Sequence, residues 1–166
     1  LEDQLNWLFY ETVTAHENEF IAGWFSFELH LRNVLAALSV RSRLPHLQER
    51  EPEYERCLSS CIICRNEVTE HIFKSTAADF GLTAALPWVD SIIELQQQDM
   101  RQREQAIDRL RWDMLDELTT FAYFQVETIL AFCIKLMLVE RWMKLDPVSG
   151  RQKLEQLIAQ MRKGFQ

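Results

Sequence analysis

The chain has 166 residues, 48% of them hydrophobic, with 18 basic against 25 acidic side chains and a net charge of −7. This balance argues against a broad nucleic-acid surface, which needs a basic face, and against electrostatic docking on an anionic membrane leaflet. The chain is long enough to bury a core, whereas four Gly and four Pro are too few for a multi-stranded fold with many turns.

The first helical pattern covers residues 5–42. Its apolar residues recur at spacings of three and four: Leu5, Leu8, Phe9, Val13, Phe20, Trp24, Phe27, Leu31, Val34, Leu35 and Leu38. The pattern continues through Gly23, so we predict one long helix with a kink near this residue. Most of the interleaved polar residues, namely Glu28, His30 and Arg32, are expected on the solvated flank. Asn33 is a candidate for a buried hydrogen bond because its surroundings are so apolar.

The middle of the chain is punctuated by proline. Pro45 and Pro52 frame a polar run, and we predict a loop over about residues 44–55. A helical pattern resumes over residues 57–74. Pro87 is expected at or near the first turn of a further helix, which is followed by a short break at residues 96–99.

Residues 88–146 contain no Gly or Pro, and residues 101–145 are predicted to form one very long helix or two nearly collinear ones. The second half, TFAYFQVETILAFCIKLMLVERWM, is apolar on nearly every face, which is typical of a helix buried among other helices or inside a membrane. A bilayer span needs about 20 mostly apolar residues, and charged residues such as Lys135 and Glu140 interrupt this one. We therefore predict the buried central helix of a soluble protein.

The chain ends with a further amphipathic pattern. Asp146 followed by Pro147 is typical of an N-cap and a first helical residue, and one face then carries Leu154, Leu157, Ile158, Met161 and Phe165. The patterns together predict an all-α fold of about five or six helices, two of them very long. We expect an antiparallel helical bundle, with the long first helix antiparallel to the central one, and a single domain over residues 1–166. Because the chain starts at Leu1, we expect it to be a segment of a longer protein.

Three of the four cysteines, Cys57, Cys61 and Cys64, lie close together in the sequence. Their spacing matches the cluster-binding motif of radical S-adenosylmethionine enzymes, but the βα units and glycine-rich segment of such enzymes are missing. On one helix the three would share a single face, where small apolar core residues also belong. A zinc site of Cys61, Cys64 and His71 lacks a fourth ligand. We predict a structural role, with no metal or cofactor, and a reduced, cytoplasmic setting.

The remaining candidates for chemistry are weaker. Residues 79–81 spell the Asp-Phe-Gly triplet of protein kinases, but the other kinase motifs are missing. Glu127 and Glu140 are either carboxylates perturbed by burial or members of structural ion pairs, for example with Lys144, and the second interpretation is favoured. Neither a glycine-rich phosphate loop nor a nucleophile elbow is present. We therefore predict no catalytic residue and no enzymatic activity.

Three stretches resemble one known family. They are residues 24–43 (WFSFELHLRNVLAALSVRSR), 75–95 (STAADFGLTAALPWVDSIIEL) and 107–146 (IDRLRWDMLDELTTFAYFQVETILAFCIKLMLVERWMKLD). The family is an uncharacterised bacterial one, encoded among the components of V-type (A/V-type) ATP synthases, whose members are longer than this chain. These proteins resemble the C subunit of such enzymes, which is called the d subunit in eukaryotes. The helix end from Asn33 to Arg41 or Arg43 is similar in kind to one in the C subunit.

This resemblance implies an all-helical, non-catalytic adaptor that links the central stalk to the membrane ring of a rotary ATPase. The other ATPase subunits would be its partners, and its location would be cytoplasmic and peripheral to the inner membrane, with no direct membrane span. Two alternatives remain open. One is a helical scaffold or regulatory protein with another protein partner, and the other is a metal-binding helical protein that uses Cys57, Cys61 and Cys64.

Overall fold

The computed structural model describes residues 2–44, 51–122 and 125–145, and in these residues the fold is helical without any strand. The helices are α1 (Glu2–Thr14), α2 (Glu19–Arg43), α3 (Pro52–Cys61), α4 (Glu67–Lys74), α5 (Trp88–Glu94), α6 (Met100–Leu118) and α7 (Val126–Lys144). A short 3₁₀ helix, Leu95–Gln97, lies between α5 and α6. The all-α prediction is therefore confirmed, but the described residues form seven α-helices and not five or six.

The chain divides into two compact units, Leu1–Phe121 and Ala122–Gln166. The first unit contains α1 to α6 and the second contains α7. Most of the buried side chains belong to the first unit, and the largest fully buried ones among the described residues include Leu31, Val34, Leu58, Phe80, Leu82, Val89, Ile92 and Leu115. The expectation of a single domain over residues 1–166 stays a prediction.

The predicted first helix is interrupted at residues 15–18, so α1 and α2 are separate elements. The Asn18 side chain accepts a hydrogen bond from the Ile21 amide at 3.1 Å, and the Asn18 amide donates to His16 Nδ1 at 3.0 Å. Such a cap starts a new helix and competes with a continuous one. α2 itself continues through Gly23, where an added Cβ would lie 2.9 Å from Leu118 Cδ2. Glycine therefore lets α6 approach α2 closely.

The predicted helix over residues 57–74 is also two helices. α3 already begins at Pro52, so residues 52–55 of the predicted loop are helical, while residues 45–50 lie outside the described residues. α4 begins with a capping box, in which Asn66 and Thr69 exchange hydrogen bonds of 2.9 and 2.7 Å. Between α3 and α4, the amide of Ile63 donates to Oδ1 of the fully buried Asn33 at 3.1 Å. Asn33, a candidate for a buried hydrogen bond, therefore forms one in the structure.

The next two predictions for the chain are confirmed. Pro87 is the residue just before α5. Residues 95–99 then interrupt the α-helical path with the 3₁₀ helix, and Asp99 caps α6 by accepting a hydrogen bond from the Gln102 amide at 2.9 Å. The break predicted at residues 96–99 therefore coincides with a 3₁₀ helix and a side-chain cap.

Residues 101–145 form two helices, so the alternative of one very long helix is wrong, while the near collinearity of the two stays a prediction. α6 ends at Leu118, where the hydroxyls of Thr119 and Thr120 donate to the carbonyl oxygens of Leu115 and Asp116 at 2.7 and 2.9 Å. Threonine hydroxyls that bond to preceding carbonyls offer the backbone an alternative to the helical ladder. The helix therefore ends without any Gly or Pro.

The prediction that α7 is a buried central helix is wrong for the described residues. Of its side chains, Ala131 alone is buried, whereas Phe132, Leu136 and Met137 are 64%, 55% and 67% exposed. The central position belongs to α2, which has 25 residues and contacts α1, α3, α4, α5 and α6. A sequence that is apolar on every face indicates that a helix has partners, but it does not say whether the same chain supplies them.

The helix predicted after Asp146 and Pro147 lies outside the described residues. Within residues 2–44, 51–122 and 125–145, no helix combines the length and the apolar character that a bilayer crossing requires.

Candidate protein-interaction surfaces

A buried ion network joins α2 to α6. Arg111 on α6 binds both carboxylate oxygens of Glu28 on α2, at 2.6 and 3.3 Å, and also binds Asp108 at 3.0 Å. Glu28 and Asp108 are only 8% and 7% exposed. Burial alone would lower the pKa of Arg111, but the hydrogen bonds and charges of the two carboxylates outweigh it and raise the pKa above its ordinary value. The network fixes the two helices against each other.

The prediction that Glu28 lies on the solvated flank of its helix is therefore wrong. Glu28 pairs with Arg111, which lies 83 positions further along the chain. Local periodicity cannot predict a pairing over this distance. Arg32, by contrast, is 56% exposed at its side chain and lies 3.8 Å from Glu28 at the edge of the network. His30 is half-buried, so the expected solvated flank is only partly present.

The end of α2 is attached to the segment after α4. Arg41 Nη1 donates to the carbonyl oxygens of Ala77 and Ala78 at 2.9 and 3.1 Å, and its guanidinium lies 4.0 Å from the centre of the Phe80 ring. Phe80 is fully buried and has a φ of 55°, followed by Gly81 at 69°. These two left-handed residues form a turn in the segment that Arg41 of α2 contacts.

The Asp-Phe-Gly triplet at residues 79–81 is part of this turn. The Asp79 carboxylate accepts hydrogen bonds from the amides of Gly81 at 3.0 Å and Thr83 at 3.4 Å. The Gly81 hydrogen bond is the main reason why the pKa of Asp79 lies below its ordinary value. The Asp79 carboxylate therefore stabilises the turn that contains it.

The three clustered cysteines do not share one helical face. α3 ends at Cys61, and Cys64 follows in the segment that leads to α4. Cys57 and Cys61 line a small cavity of about 190 Å³ beside Val40 and Leu44, whereas Cys64 lines a different cleft. In the part of the chain that the structure describes, no group of three His, Cys, Asp or Glu side chains is placed to hold a metal ion. The three cysteines are therefore divided between two cavities.

Cys64 lies in a cleft of about 350 Å³ between α1, α2 and the segment before α4. Its lining includes Trp7, Tyr10, Glu11, His30, Cys64 and Arg65. Burial raises the pKa values of the Tyr10 phenol and of the Cys64 thiol, and burial lowers the pKa of His30. The Cys64 thiol donates to the Trp7 carbonyl oxygen at 3.8 Å. All three shifts favour the neutral forms, so this cleft disfavours a reactive thiolate.

The two glutamates of α7 belong to an exposed helix. Glu140 binds Lys144 at 2.7 Å, and both side chains are largely exposed. Glu127 is half-buried in the first turn. The ion pair between Glu140 and Lys144 is thus confirmed.

Large apolar side chains are exposed on both units. On α1, Leu5, Trp7, Leu8 and Phe9 are 67%, 47%, 54% and 44% exposed. On α7 the exposed residues are Val126, Ile129, Phe132, Leu136, Met137, Val139 and Met143. Scattered apolar residues are normal on a protein surface, but several neighbours on one short helix are typical of an interaction site. The helical spacing of the apolar residues of α1 predicts that they are buried in a core, whereas the structure exposes them.

The comparison with protein families identifies one match, to the family described as "Protein of unknown function (DUF2764)", over residues 1–165. Because this match covers nearly the whole chain, the chain belongs to the DUF2764 family. No curated protein and no solved structure matches it significantly.

Proposed function

We propose that this member of the DUF2764 family is a non-catalytic component, or an assembly partner, of a V-type (A/V-type) rotary ATPase. It would act as an adaptor similar to the C subunit, linking the central stalk to the membrane ring, on the cytoplasmic side and peripheral to the inner membrane. The observation that carries this proposal is the resemblance of residues 24–43, 75–95 and 107–146 to a family encoded with such ATPases.

The first two similar stretches and the start of the third, residues 107–121, lie in the first unit and contact one another there, which supports the proposal. Arg41 of the first stretch binds the backbone of the second at Ala77 and Ala78. Phe27 packs edge-on against Trp88 with 5.7 Å between ring centres. Arg111, at the start of the third stretch, binds Glu28 of the first. The resemblance therefore includes the residues that hold the first unit together.

A torque-transmitting adaptor needs helices that do not slide past one another. Two features of the contact between α2 and α6 serve this purpose: the close approach of Leu118 to Gly23 and the bidentate pair of Arg111 with Glu28. Close-packed interiors have low compressibility and transmit strain. A bidentate guanidinium–carboxylate pair adds geometric specificity.

An adaptor also needs surfaces that bind other proteins, and α1 provides one. Its exposed Leu5, Trp7 and Leu8 are large apolar residues that this chain leaves at least 47% exposed. We assign α1 as a contact with the neighbouring ATPase components. Aromatic residues such as Trp7 are enriched among the side chains that dominate binding energy.

The test is affinity purification of the tagged full-length protein from its own cell in mild detergent, followed by mass spectrometry. Stalk and ring proteins are expected in near-equal amounts with the wild-type protein. Leu8→Glu should reduce their recovery because it places a charge on the exposed face of α1. Glu53→Gln, at an exposed polar position in the first turn of α3, is the matched surface control and should leave recovery unchanged.

Recovery of the protein without ATPase components would contradict the proposal. The same exposed residues of α1 would then favour the second candidate function, a helical scaffold or regulatory protein with another partner. Co-purifying proteins that disappear with Leu8→Glu would identify that partner.

A further inference from the structure

One half of α7 carries an exposed seam of residues. Its members are separated by steps of three, four, three, four and three: Val126, Ile129, Cys133, Leu136, Glu140 and Met143. All six are exposed, and Leu136 and Met143 are 55% and 81% exposed. Alternating steps of three and four are the a and d positions of a heptad, the pattern by which one helix packs against another.

The opposite half of α7 is different. Its residues are buried or half-buried: Leu130, Ala131, Ile134, Leu138 and Trp142. The seam is widened by exposed apolar neighbours, namely Phe132, Met137 and Val139. The open half of the helix is therefore largely apolar, with Glu140 as the charged member of the seam, and the described residues leave it exposed.

We propose that this seam pairs with the same seam of a second copy of the chain, with the two α7 helices antiparallel. In this arrangement Cys133 of one copy faces Leu136 of the other, Val126 faces Met143, and Ile129 faces Glu140. Every seam residue then has a seam partner, so the surface is self-complementary, as a two-fold interface requires.

The charge on the seam selects the antiparallel direction. Glu140 is its single charged residue, and Lys144 of the same helix binds it at 2.7 Å. A parallel pair would place the two Glu140 side chains directly against each other. In the antiparallel pair they are separated by 11 residues along the axis, which corresponds to about 16 Å at the rise of an α-helix.

The size of the seam indicates a reversible dimer. Seven large apolar side chains of this half are 43–81% exposed. A contact between two α7 helices is a strip about 28 Å long, from 19 residues at about 1.5 Å each, and about 10 Å wide. The area of this strip is below the roughly 800 Å² per partner of a standard interface. We therefore expect dissociation on dilution through the micromolar range.

This inference concerns α7 and does not depend on the proposed adaptor function, which uses α1. The chain offers a matched pair of variants that separates the two. Leu136 on α7 and Leu8 on α1 have the same side chain and are 55% and 54% exposed. A change to glutamate introduces the same charge at a similarly exposed position in each case.

The first experiment is sedimentation of the chain over a range of micromolar concentrations. The wild-type protein should change from monomer to dimer as concentration rises, and Leu8→Glu should do the same. Leu136→Glu should remain monomeric with an unchanged helical circular-dichroism signal. A wild-type chain that stays monomeric, or an equal loss of dimer in Leu8→Glu, would overturn the proposal.

The second experiment determines the direction of the pair and does not rely on a disruptive variant. When the wild-type chain is mixed with the double variant Cys133→Ser/Leu136→Cys, neither chain carries both thiols of the seam, and mild oxidation should join Cys133 of one copy to the thiol at position 136 of the other. Trypsin cleaves after Lys135, so the two positions fall in separate peptides and the linkage can be read by mass spectrometry. Links of 133 to 133 together with 136 to 136 would indicate a parallel pair and contradict the proposal. A monomer whose Cys133 resists alkylation would also contradict it, because the seam would then be covered within a single chain.

Discussion

Arg111 satisfies two carboxylates in a part of the molecule that water hardly reaches. Glu28 and Asp108 are 8% and 7% exposed, and Arg111 lies 2.6 and 3.0 Å from them. A buried ion pair adds little over a well-packed apolar pair, but removal of one partner leaves an uncompensated buried charge. Arg111 therefore contributes to stability mainly by neutralising the buried carboxylates of Glu28 and Asp108.

Arg111→Met should lower the free energy of unfolding by about 3–5 kcal/mol, the usual cost of breaking a buried ion pair. Urea denaturation followed by circular dichroism would measure the change. Arg109→Met is the control on the same helix, because Arg109 and its partner Asp113 are 75% and 54% exposed at their side chains. It should cost at most about 1 kcal/mol. Equal effects of the two variants would show that the network is not buried.

His30 makes stability depend on pH. Burial lowers its pKa from the ordinary value near 6.5. In a mildly acidic window the unfolded chain therefore binds a proton that the folded chain does not, which favours unfolding. The contribution of neutral His30 is fully present above pH 6.5 and is lost as the pH falls through the lower, folded-state pKa.

His30→Gln should remove this contribution, since glutamine does not titrate. The difference in unfolding free energy between wild type and variant should be constant above about pH 7, and it should shift in favour of the variant as the pH falls below about 6.5. Urea denaturation at several pH values gives this difference. A difference that does not change with pH would mean that His30 titrates alike in the folded and unfolded states.

At the scale of the elements, the sequence was most informative about helix type and least informative about helix ends. Pro87 and the break before α6 were found because proline and polar runs leave a local signal. The end of α6 was not assigned, because threonine hydroxyls at 119 and 120 end the helix by bonding to its own carbonyls. Whether a helix continues or ends at such threonines depends on a small difference in free energy between the helical hydrogen bonds and the side-chain ones.

The candidate surfaces were predictable only in part. Asn33 could be identified because a lone amide in an apolar run needs a partner. The pairing of Glu28 with Arg111 could not, because it joins residues 83 positions apart. The exposed side of α7 was missed for another reason. A helix that is apolar on nearly every face is expected to have partners, but its sequence does not say whether the same chain supplies them.

Because α2 is buried and α7 is exposed, a leucine-to-alanine substitution should lower the free energy of unfolding much more on α2 than on α7. Leu31 on α2 is 0% exposed, so Leu31→Ala should cost about 2–5 kcal/mol of unfolding free energy. Leu136 on α7 is 55% exposed, so Leu136→Ala should cost much less when the protein is dilute. Chemical denaturation at low protein concentration makes the comparison. A cost for Leu136→Ala as large as that for Leu31→Ala would show that α7 is buried within a single chain.

At the scale of the whole molecule, the buried core and the described α7 belong to different units. Nearly all buried side chains of the described residues lie in the first unit, Leu1–Phe121, and Ala131 is the exception in the second. The ion network, the Arg41 contacts and the Gly23 approach also lie within the first unit. Such a unit has its own core, which is the main requirement for independent folding.

Limited chymotrypsin digestion should therefore cut first between α6 and α7. Phe121 is 86% exposed and lies outside both helices, whereas Phe132 and Trp142 are held in helical backbone. Exposed non-helical backbone is the preferred substrate of proteases. Mass spectrometry should find an early fragment that ends at or near residue 121.

This fragment should keep its helical signal and unfold in one cooperative transition, because the residues that stabilise it are retained. A variant of the fragment with Leu31→Ala should melt at a lower temperature, since Leu31 is fully buried in this unit. Thermal unfolding followed by circular dichroism tests both expectations. A fragment that unfolds gradually, or that is insensitive to Leu31→Ala, would mean that the second unit is required to complete the core of the first.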